Sequence, residues 1–165
     1  MRIDYANLNA TIAGLLEGEV DEVAIMATLA CELHHRDDRF DWTGFYRVTE
    51  PQLLKIGPYQ GTHGCLVIPF DRGVCGAAAR SGDVQLVPDV GAFPGHIPCA
   101  SSTKSELVLP VWNGAGQLIG VLDLDSNQPD AFTQEDARHL AAILKASFAH
   151  SKRESLQSAP DSSRR

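Results

Sequence analysis

The segment "SELVLPVWNGAGQLIGVLDLD", residues 105–125, decides the fold of this chain. Two apolar runs flank "WNGAGQ" at 112–117, and the Asn and Gly residues of that stretch are typical of a tight turn between strands. Residues 105–125 therefore predict an antiparallel β-hairpin, and the framework of the protein should be an antiparallel sheet.

Further β-rich runs and helical patterns surround the hairpin. Four more strands are predicted in "FDWTGFYRV" (40–48), "QLLKIG" (52–57), "GCLVIP" (64–69) and "VQLVPDV" (84–90). Helical patterns occupy 5–16, 21–36 and 133–153, with a short helix in "GVCGAAARSG" (73–82). The order of these elements predicts an α+β fold: a six-stranded antiparallel sheet with the N- and C-terminal helices packed on one face.

The composition limits the classes of partner. The chain has 165 residues and a formal net charge of -7, which repels nucleic acid and anionic membranes. The first residues lack a signal-peptide pattern, and no run approaches the ~18 apolar residues of a membrane span. We expect a cytoplasmic protein with a single domain over 1–153 and a disordered polar tail over 154–165.

Four cysteines are the first candidates for chemistry, and in a reducing compartment we expect no disulfide framework. Cys31 is expected to fill the core within a helix. Cys65 is expected to be a buried strand residue, because cysteine is among the residues most often buried in proteins. Cys75 lies between glycines at a helix entrance, where backbone amides can stabilise a thiolate. Cys99 lies in the loop "PGHIPCASSTKSE" (94–106), whose polar texture indicates a solvated, reactive thiol.

Three acids are the second group. The strand period places Ile119, Val121, Asp123 and Asp125 on one face, with the two carboxylates ~7 Å apart. Glu106, at the head of the facing strand, would lie across from them. Either the strand ends in solvent at Asp123, or the three carboxylates converge on a cavity that binds a cation.

A thiol beside several carboxylates calls for a particular reaction, since anionic neighbours raise the pKa of a thiol. The acids would instead serve the substrate: carboxylates bind an ammonium group, and a protonated carboxylic acid donates to a departing oxygen. Sulfoxide reduction fits these demands. Cys99 would become a sulfenic acid, Cys65 or Cys75 would resolve it as a disulfide, and an external dithiol would reduce that disulfide.

The ordered strings "DWTGFY", "GPYQG", "GCLVIP", "GVCG", "DVGAFPGHIPC", "SELVLPV" and "LIGVLDLDS" resemble the free methionine-(R)-sulfoxide reductases, enzymes with the GAF fold. The likeness covers roughly residues 20–150. The resemblance implies that Cys99 is the nucleophile, that Cys65 is its usual resolving partner and that Cys75 is an auxiliary thiol.

The same resemblance implies the roles of the remaining site residues. Glu106, Asp123 and Asp125 would hold the sulfoxide and the amino group of the substrate, and Trp42 and Tyr46 would wall its thioether side chain. It also implies the R preference, thioredoxin as reductant, a function under oxidative stress and, by analogy with GAF domains, a homodimer through the terminal helices. No cofactor and no metal ligand are assigned.

Two other interpretations remain open. A GAF domain can be a sensor module that binds a small ligand without turnover, because fold alone does not determine function. A zinc site could use Cys65, Cys75, Cys99 and His96, although their spacings lack the close ligand pairs of ordinary zinc modules.

Overall fold

Six strands and four α-helices build the part of the chain that the structure, a computed structural model, describes: residues 3–99 and 101–151. Ala100 and the predicted tail 154–165 lie outside the described residues. The elements are α1 (Tyr5–Leu15), α2 (Glu22–His34), β1 (Trp42–Glu50), β2 (Leu53–Gln60), β3 (Val67–Pro69), α3 (Gly73–Ser81), β4 (Gln85–Val87), β5 (Ser105–Trp112), β6 (Leu118–Ser126) and α4 (Gln134–Ser147).

The predicted hairpin is confirmed as β5 and β6. The strands form one antiparallel sheet in the order β3-β2-β1-β6-β5-β4, so β6 lies between β1 and β5. At the turn, the backbone N–H of Asn113 donates to the carbonyl of Gln117 at 3.0 Å. The Asn113 side chain accepts from the N–H groups of Ala115 and Gln117, and Gly116 supplies the left-handed φ of 74°.

Two apolar layers cover the two faces of the sheet. On one face α1, α2 and α4 pack against Phe45, Leu107 and Leu122. On the other face α3 packs against Val108 and Val121. The predicted α+β fold with terminal helices on one face is therefore confirmed. None of the helices among the described residues has the length and apolarity needed to cross a membrane.

Polar side chains fix where the terminal helices begin. Asp4 and Asp21 cap α1 and α2, the second by accepting from the N–H of Ala24 at 2.7 Å. Thr133 and Asp136 form a capping box at the start of α4. The prediction that this helix runs to 153 is wrong, because it ends at Ser147: the chain turns to bury Phe148, whose carbonyl accepts from Ser151.

A β-bulge in the hairpin corrects the predicted alternation. Val111 pairs with Gly120, but Trp112 pairs with Leu118, so Ile119 is an extra residue on β6. Ile119 consequently joins the core under the terminal helices, and not the face of Val121. From Val121 onwards the alternation is as predicted.

The expected burial of Cys31 is also wrong, because its side chain is exposed. The buried face of α2 is formed by Ile25, Met26, Leu29 and Leu33. These residues recur at helical spacing, and Cys31 lies on the opposite side of the helix. Apolar neighbours along the sequence indicated a core position, but on a helix the next residue is rotated by ~100°.

Candidate active site

The register of the hairpin brings the three predicted acids together. Glu106 lies directly opposite Asp125, and Asp123 lies two residues further along the same face of β6. This face is the one covered by α3, because Val108, the partner of Asp123, belongs to its core. Asp123 is only 5% exposed, so the interpretation in which the strand ends there in solvent is wrong.

Helix α3 places a thiol against these acids. The sulfur of Cys75 and carboxylate oxygens of Glu106 and Asp123 all lie within 4.8 Å of one another. The helix can pack this closely because residue 76 is a glycine: a Cβ at this position would lie 2.7 Å from the carbonyl oxygen of Pro69. Cys75, Glu106 and Asp123 are thus the described residues close enough to share a metal ion.

Burial keeps protons on the acids. Removal from water, reinforced by the neighbouring Asp123 and Asp125, raises the pKa of Glu106 well above its ordinary value. Burial also raises the pKa of Asp123 to about 7, although hydrogen bonds from Cys75 and Glu106 lower it in part. The pKa of Asp125 is raised well above its usual range by burial and then by Asp123. A cation entering this cluster would replace those protons.

The same surroundings correct the interpretation of Cys75. It does lie in the first turn of α3, as predicted. However, burial and then the charges of Asp123, Glu106 and Asp125 raise the pKa of its thiol well above the ordinary value. Desolvation and carboxylates therefore outweigh the backbone amides of the helix, and they disfavour the thiolate at this position.

Cys65 and Cys99 are joined by a disulfide across 34 residues, with their Cα atoms 5.3 Å apart. Cys99 lines the cavity over the acids. Cys65 lies in the loop before β3, so its predicted position inside that strand is wrong. The zinc site considered above needs Cys65 and Cys99 as thiolates, together with Cys75 and His96. In this state the sulfurs of Cys65 and Cys99 are bonded to each other, so they are not available as metal ligands.

Two predicted aromatic residues form one wall of the cavity. The rings of Trp42 and Tyr46 stack with centroids 5.8 Å apart. The indole N–H of Trp42 donates to the carbonyl of Thr62 at 2.8 Å, which fixes the ring. Burial, and then the charge of Asp123, raises the pKa of Tyr46, so its phenol stays protonated. This wall is apolar with a neutral hydroxyl.

The cavity itself is small, about 30 Å³, and it collects all the predicted site residues except Cys65. Sequence reasoning missed part of its lining: His63, Gly64, Ile68, Gly73, Val74, Ile97 and Thr103. Of these, Thr103 hydrogen-bonds Asp125 and partly offsets the rise in the pKa of that carboxyl. Its only signal in the sequence is a hydroxyl three residues before Glu106.

His96, expected to shape the loop or the pocket, also lines the cavity. Its Nε2 lies 4.0 Å from a carboxylate oxygen of Glu106. Burial lowers the pKa of this imidazole, so it is neutral at physiological pH. It therefore adds no fixed positive charge to the acidic cluster.

Comparison with known proteins identifies the family of the chain. The chain matches the GAF domain family over residues 21–145. A free methionine-R-sulfoxide reductase of Escherichia coli is 41% identical over 140 residues, which cover 85% of this chain and 84% of that protein.

Solved structures give the same result. The free methionine-R-sulfoxide reductase of Neisseria meningitidis, solved in complex with its substrate, is 40% identical with a TM-score of 0.81, covering 89% of this chain and 89% of that chain. The fRMsr of Staphylococcus aureus in its reduced form is 38% identical with a TM-score of 0.86, covering 90% of this chain and 96% of that chain. With 41% identity across most of its length, the chain belongs to the free methionine-R-sulfoxide reductase family of GAF-domain proteins.

Proposed function

We propose that this protein reduces the R epimer of free methionine sulfoxide to methionine. The observation that carries the proposal is the cluster of buried Glu106 and Asp123 with half-buried Asp125, which shares one small cavity with Cys99. A sulfur nucleophile supplies the electrons, and the acids supply a binding site for a cation and a source of protons. The names of the relatives support the substrate and its epimer.

The acids account for selection of the free amino acid. Asp123 Oδ1 is buried without a hydrogen-bond partner among the described residues. The ammonium group of free methionine sulfoxide can donate to this oxygen and to Asp125. A peptide-bound methionine sulfoxide has a neutral amide nitrogen instead, so it would leave the carboxylates unpaired, which binding sites penalise strongly.

The chemical step uses Cys99 and Glu106. The thiolate of Cys99 attacks the sulfur of the sulfoxide while protonated Glu106 donates to its oxygen. The hydroxyl group formed in this way transfers from the substrate sulfur to the Cys99 sulfur as the bond between the two sulfurs breaks, so methionine leaves and Cys99 remains as a sulfenic acid. Cys99 is thereby oxidised by two electrons, and the substrate sulfur is reduced by two. The raised pKa of Glu106 supports its role as the acid.

Recycling uses Cys65. Its thiol displaces water from the Cys99 sulfenic acid and forms the disulfide, an assignment supported by the bond between these two residues. We assign Cys75, which lies outside that bond, an auxiliary role beside Asp123. Thioredoxin, a dithiol protein of the cytoplasm, would then reduce Cys65–Cys99 and restore both thiols.

Replacement of the proposed nucleophile tests the function directly. Purified protein is incubated with each epimer of free methionine sulfoxide and dithiothreitol, and methionine is quantified. We expect the parent to consume only the R epimer and Cys99→Ser to have no turnover. Cys31→Ser is the matched control, since Cys31 is an exposed thiol on α2 outside the cavity.

The same assay separates an enzyme from a sensor. A parent protein that binds methionine sulfoxide but forms no methionine would be a GAF module that binds ligand without turnover. A Cys99→Ser variant as active as its parent would remove Cys99 from the mechanism.

The proposed homodimer has its own support. Three exposed apolar residues lie at the first two helices: Leu15 on α1, Val20 in the turn that follows it and Val23 on α2. A second copy of the chain could cover them. Light scattering coupled to size exclusion should give twice the chain mass of 17.8 kDa, and a mass equal to that of one chain would contradict the dimer.

A further inference from the structure

Two exposed apolar residues directly follow Cys65. Leu66 is 71% exposed, the highest value among the large hydrophobic side chains that the structure describes, and Val67 is 45% exposed. We call this pair the Leu66 ridge. Exposed apolar side chains have a free-energy cost in water, so their placement beside a redox-active sulfur indicates an interaction surface.

The fold makes the Leu66 ridge accessible and holds it in place. Among the described residues, strand β3, which begins at Val67, is the last strand on its side of the sheet and pairs only with β2. The carbonyl of Leu66 accepts from the N–H of Ile56 at 3.0 Å, which fixes the backbone next to Cys65. A protein approaching this edge would meet the ridge with no neighbouring strand in the way.

The two chain segments that contain the disulfide cysteines carry no formally charged side chain. Neither residues 56–70 nor residues 90–103, the two segments that contain Cys65 and Cys99, include Asp, Glu, Lys or Arg. Elsewhere the chain is rich in charge, with a net value of -7. Interface centres are depleted in charged residues, and an uncharged surface also avoids repelling an acidic partner.

The two sulfurs differ in what they face. Cys99 lines the cavity together with Glu106 and Asp123, whereas Cys65 is not among the described residues of the cavity walls. An anionic thiolate that approached Cys99 from the cavity would meet carboxyl groups. The sulfur of Cys65, next to the Leu66 ridge, offers an approach from outside the cavity.

We propose that the Leu66 ridge is the docking surface for a protein dithiol and that this partner attacks the sulfur of Cys65. The proposal rests on the proposed function, since that function produces the disulfide to be reduced. The partner's thiolate bonds to Cys65 and displaces Cys99 as a thiolate. Its second thiol then attacks the partner's own sulfur and releases Cys65, so two electrons move from the dithiol to Cys65–Cys99.

Reduction rates measured with a large and a small dithiol test the docking surface. The oxidised protein is mixed with thioredoxin or with dithiothreitol, and loss of the disulfide is followed by thiol labelling and mass spectrometry. For Leu66→Ser we expect reduction by thioredoxin to slow at least about fivefold. Reduction by dithiothreitol should change less than about twofold, because a small molecule needs no protein interface.

Val84→Ser is the matched control. Val84 is 40% exposed and directly precedes β4, the strand at the opposite edge of the sheet, as Leu66 directly precedes β3. We expect both rates to be unchanged in this variant. The proposal is overturned if Leu66→Ser leaves the thioredoxin rate unchanged, if it slows both reductants equally, or if Val84→Ser has the same effect.

A trapping experiment identifies the attacked sulfur. A thioredoxin whose second active-site cysteine is replaced by serine cannot complete the exchange, so it remains bound as a mixed disulfide. Peptide mapping should place the mixed disulfide on Cys65. A mixed disulfide on Cys99 would overturn the assignment.

These results are separable from the proposed function. A Leu66 effect on thioredoxin, in a protein that forms no methionine with dithiothreitol, would support the docking surface and contradict the reductase activity. Methionine formation with dithiothreitol, combined with a thioredoxin reduction rate that is the same in Leu66→Ser as in the parent, would support the reductase activity and contradict the docking surface.

Discussion

Asp123 combines features that make it the most informative single residue of the site. It is buried, one of its oxygens has no hydrogen-bond partner among the described residues, and burial raises its pKa to about 7. A carboxyl group binds an ammonium group well only when it is deprotonated. Affinity for the substrate should therefore increase as the pH rises through this pKa.

Asp123→Asn tests that coupling. We expect the KM of the parent for free methionine sulfoxide to fall between about pH 6 and about pH 8, since Asp123 loses its proton in this window. In Asp123→Asn the KM should be higher by about tenfold or more and should vary less with pH. Initial rates at several pH values give both quantities.

Asp130→Asn provides the control. Asp130 is an exposed residue outside the cavity, and its φ of 50° is one that Asn tolerates as well as Asp. Its KM and pH profile should match those of the parent. A parent KM that does not vary with pH, or that rises with pH, would contradict the assignment of Asp123 to the ammonium group.

The two free thiols should differ strongly in reactivity. Cys31 is exposed, whereas Cys75 is buried, and burial beside the carboxyl groups raises its pKa. In the folded disulfide form we expect iodoacetamide to label Cys75 at least about a hundredfold more slowly than Cys31. Peptide mass spectrometry against time measures both rates, and denatured protein should show similar rates. Equal labelling in the folded protein would mean that the site opens frequently.

At the scale of elements, α3 determines whether the thiol and the acids meet. A Cβ at Gly76 would approach the carbonyl oxygens of Pro69 and Phe70 at 2.7 and 2.8 Å. Gly76→Ala should therefore move the helix, destabilise the protein by about 2 kcal/mol and reduce turnover. Denaturant unfolding and the methionine assay measure the two effects.

Gly14→Ala is the comparison within another helix. No atom of residues 3–99 or 101–151 lies within 4 Å of a Cβ at Gly14, which is a residue of α1. This substitution should leave turnover unchanged and stabilise the protein by up to about 1 kcal/mol, because alanine restricts the unfolded chain. If Gly76→Ala is as stable as Gly14→Ala, close packing of α3 is not what positions Cys75.

Local sequence signals predicted the helices and strands and much of the site, but not the exact register between strands or the contacts between distant elements. The turn at Asn113 and Gly116 predicted the hairpin, and the period of β6 placed Asp123 and Asp125 on one face. The bulge at Ile119 was not predictable, since it depends on how β5 and β6 fit together.

Long-range packing explains the other differences. Cys75 was correctly placed in the first turn of α3, but its surroundings come from a hairpin 30 or more residues away in sequence. Thr103 became a site residue only because its loop returns to Asp125. Local patterns contain no information about such contacts. The pairing of Cys65 with Cys99 came instead from the resemblance to a family.

At the scale of the whole molecule, the acidic cluster opposes folding as the pH rises. A carboxyl group whose pKa is higher in the folded than in the unfolded state binds more protons when folded. For Asp123 this difference extends from its unfolded pKa near 4 to about 7, so its contribution to stability falls as the pH rises through that window. In the proposed function this destabilising cluster is retained because it binds the ammonium group and supplies a proton.

Unfolding measurements on Asp123→Asn test this opposition. The melting temperature of the variant relative to the parent should be higher at about pH 8 than at about pH 4.5, by at least about 2 °C. Calorimetry at the two pH values gives the difference. A relative melting temperature that is lower at the higher pH would show that the folded protein holds Asp123 as a stabilised carboxylate.

The bond between Cys65 and Cys99 also sets a limit on how the protein works without a reductant. In the proposed reaction, a chain starting with four thiols would pass one electron pair to one sulfoxide, after which it would be left with the disulfide and two thiols, Cys31 and Cys75. Each chain then behaves as a single-use reagent. In a cell without dithiol reductant, the number of methionine sulfoxide molecules reduced would equal the number of protein chains. Only a supply of dithiol would allow repeated turnover.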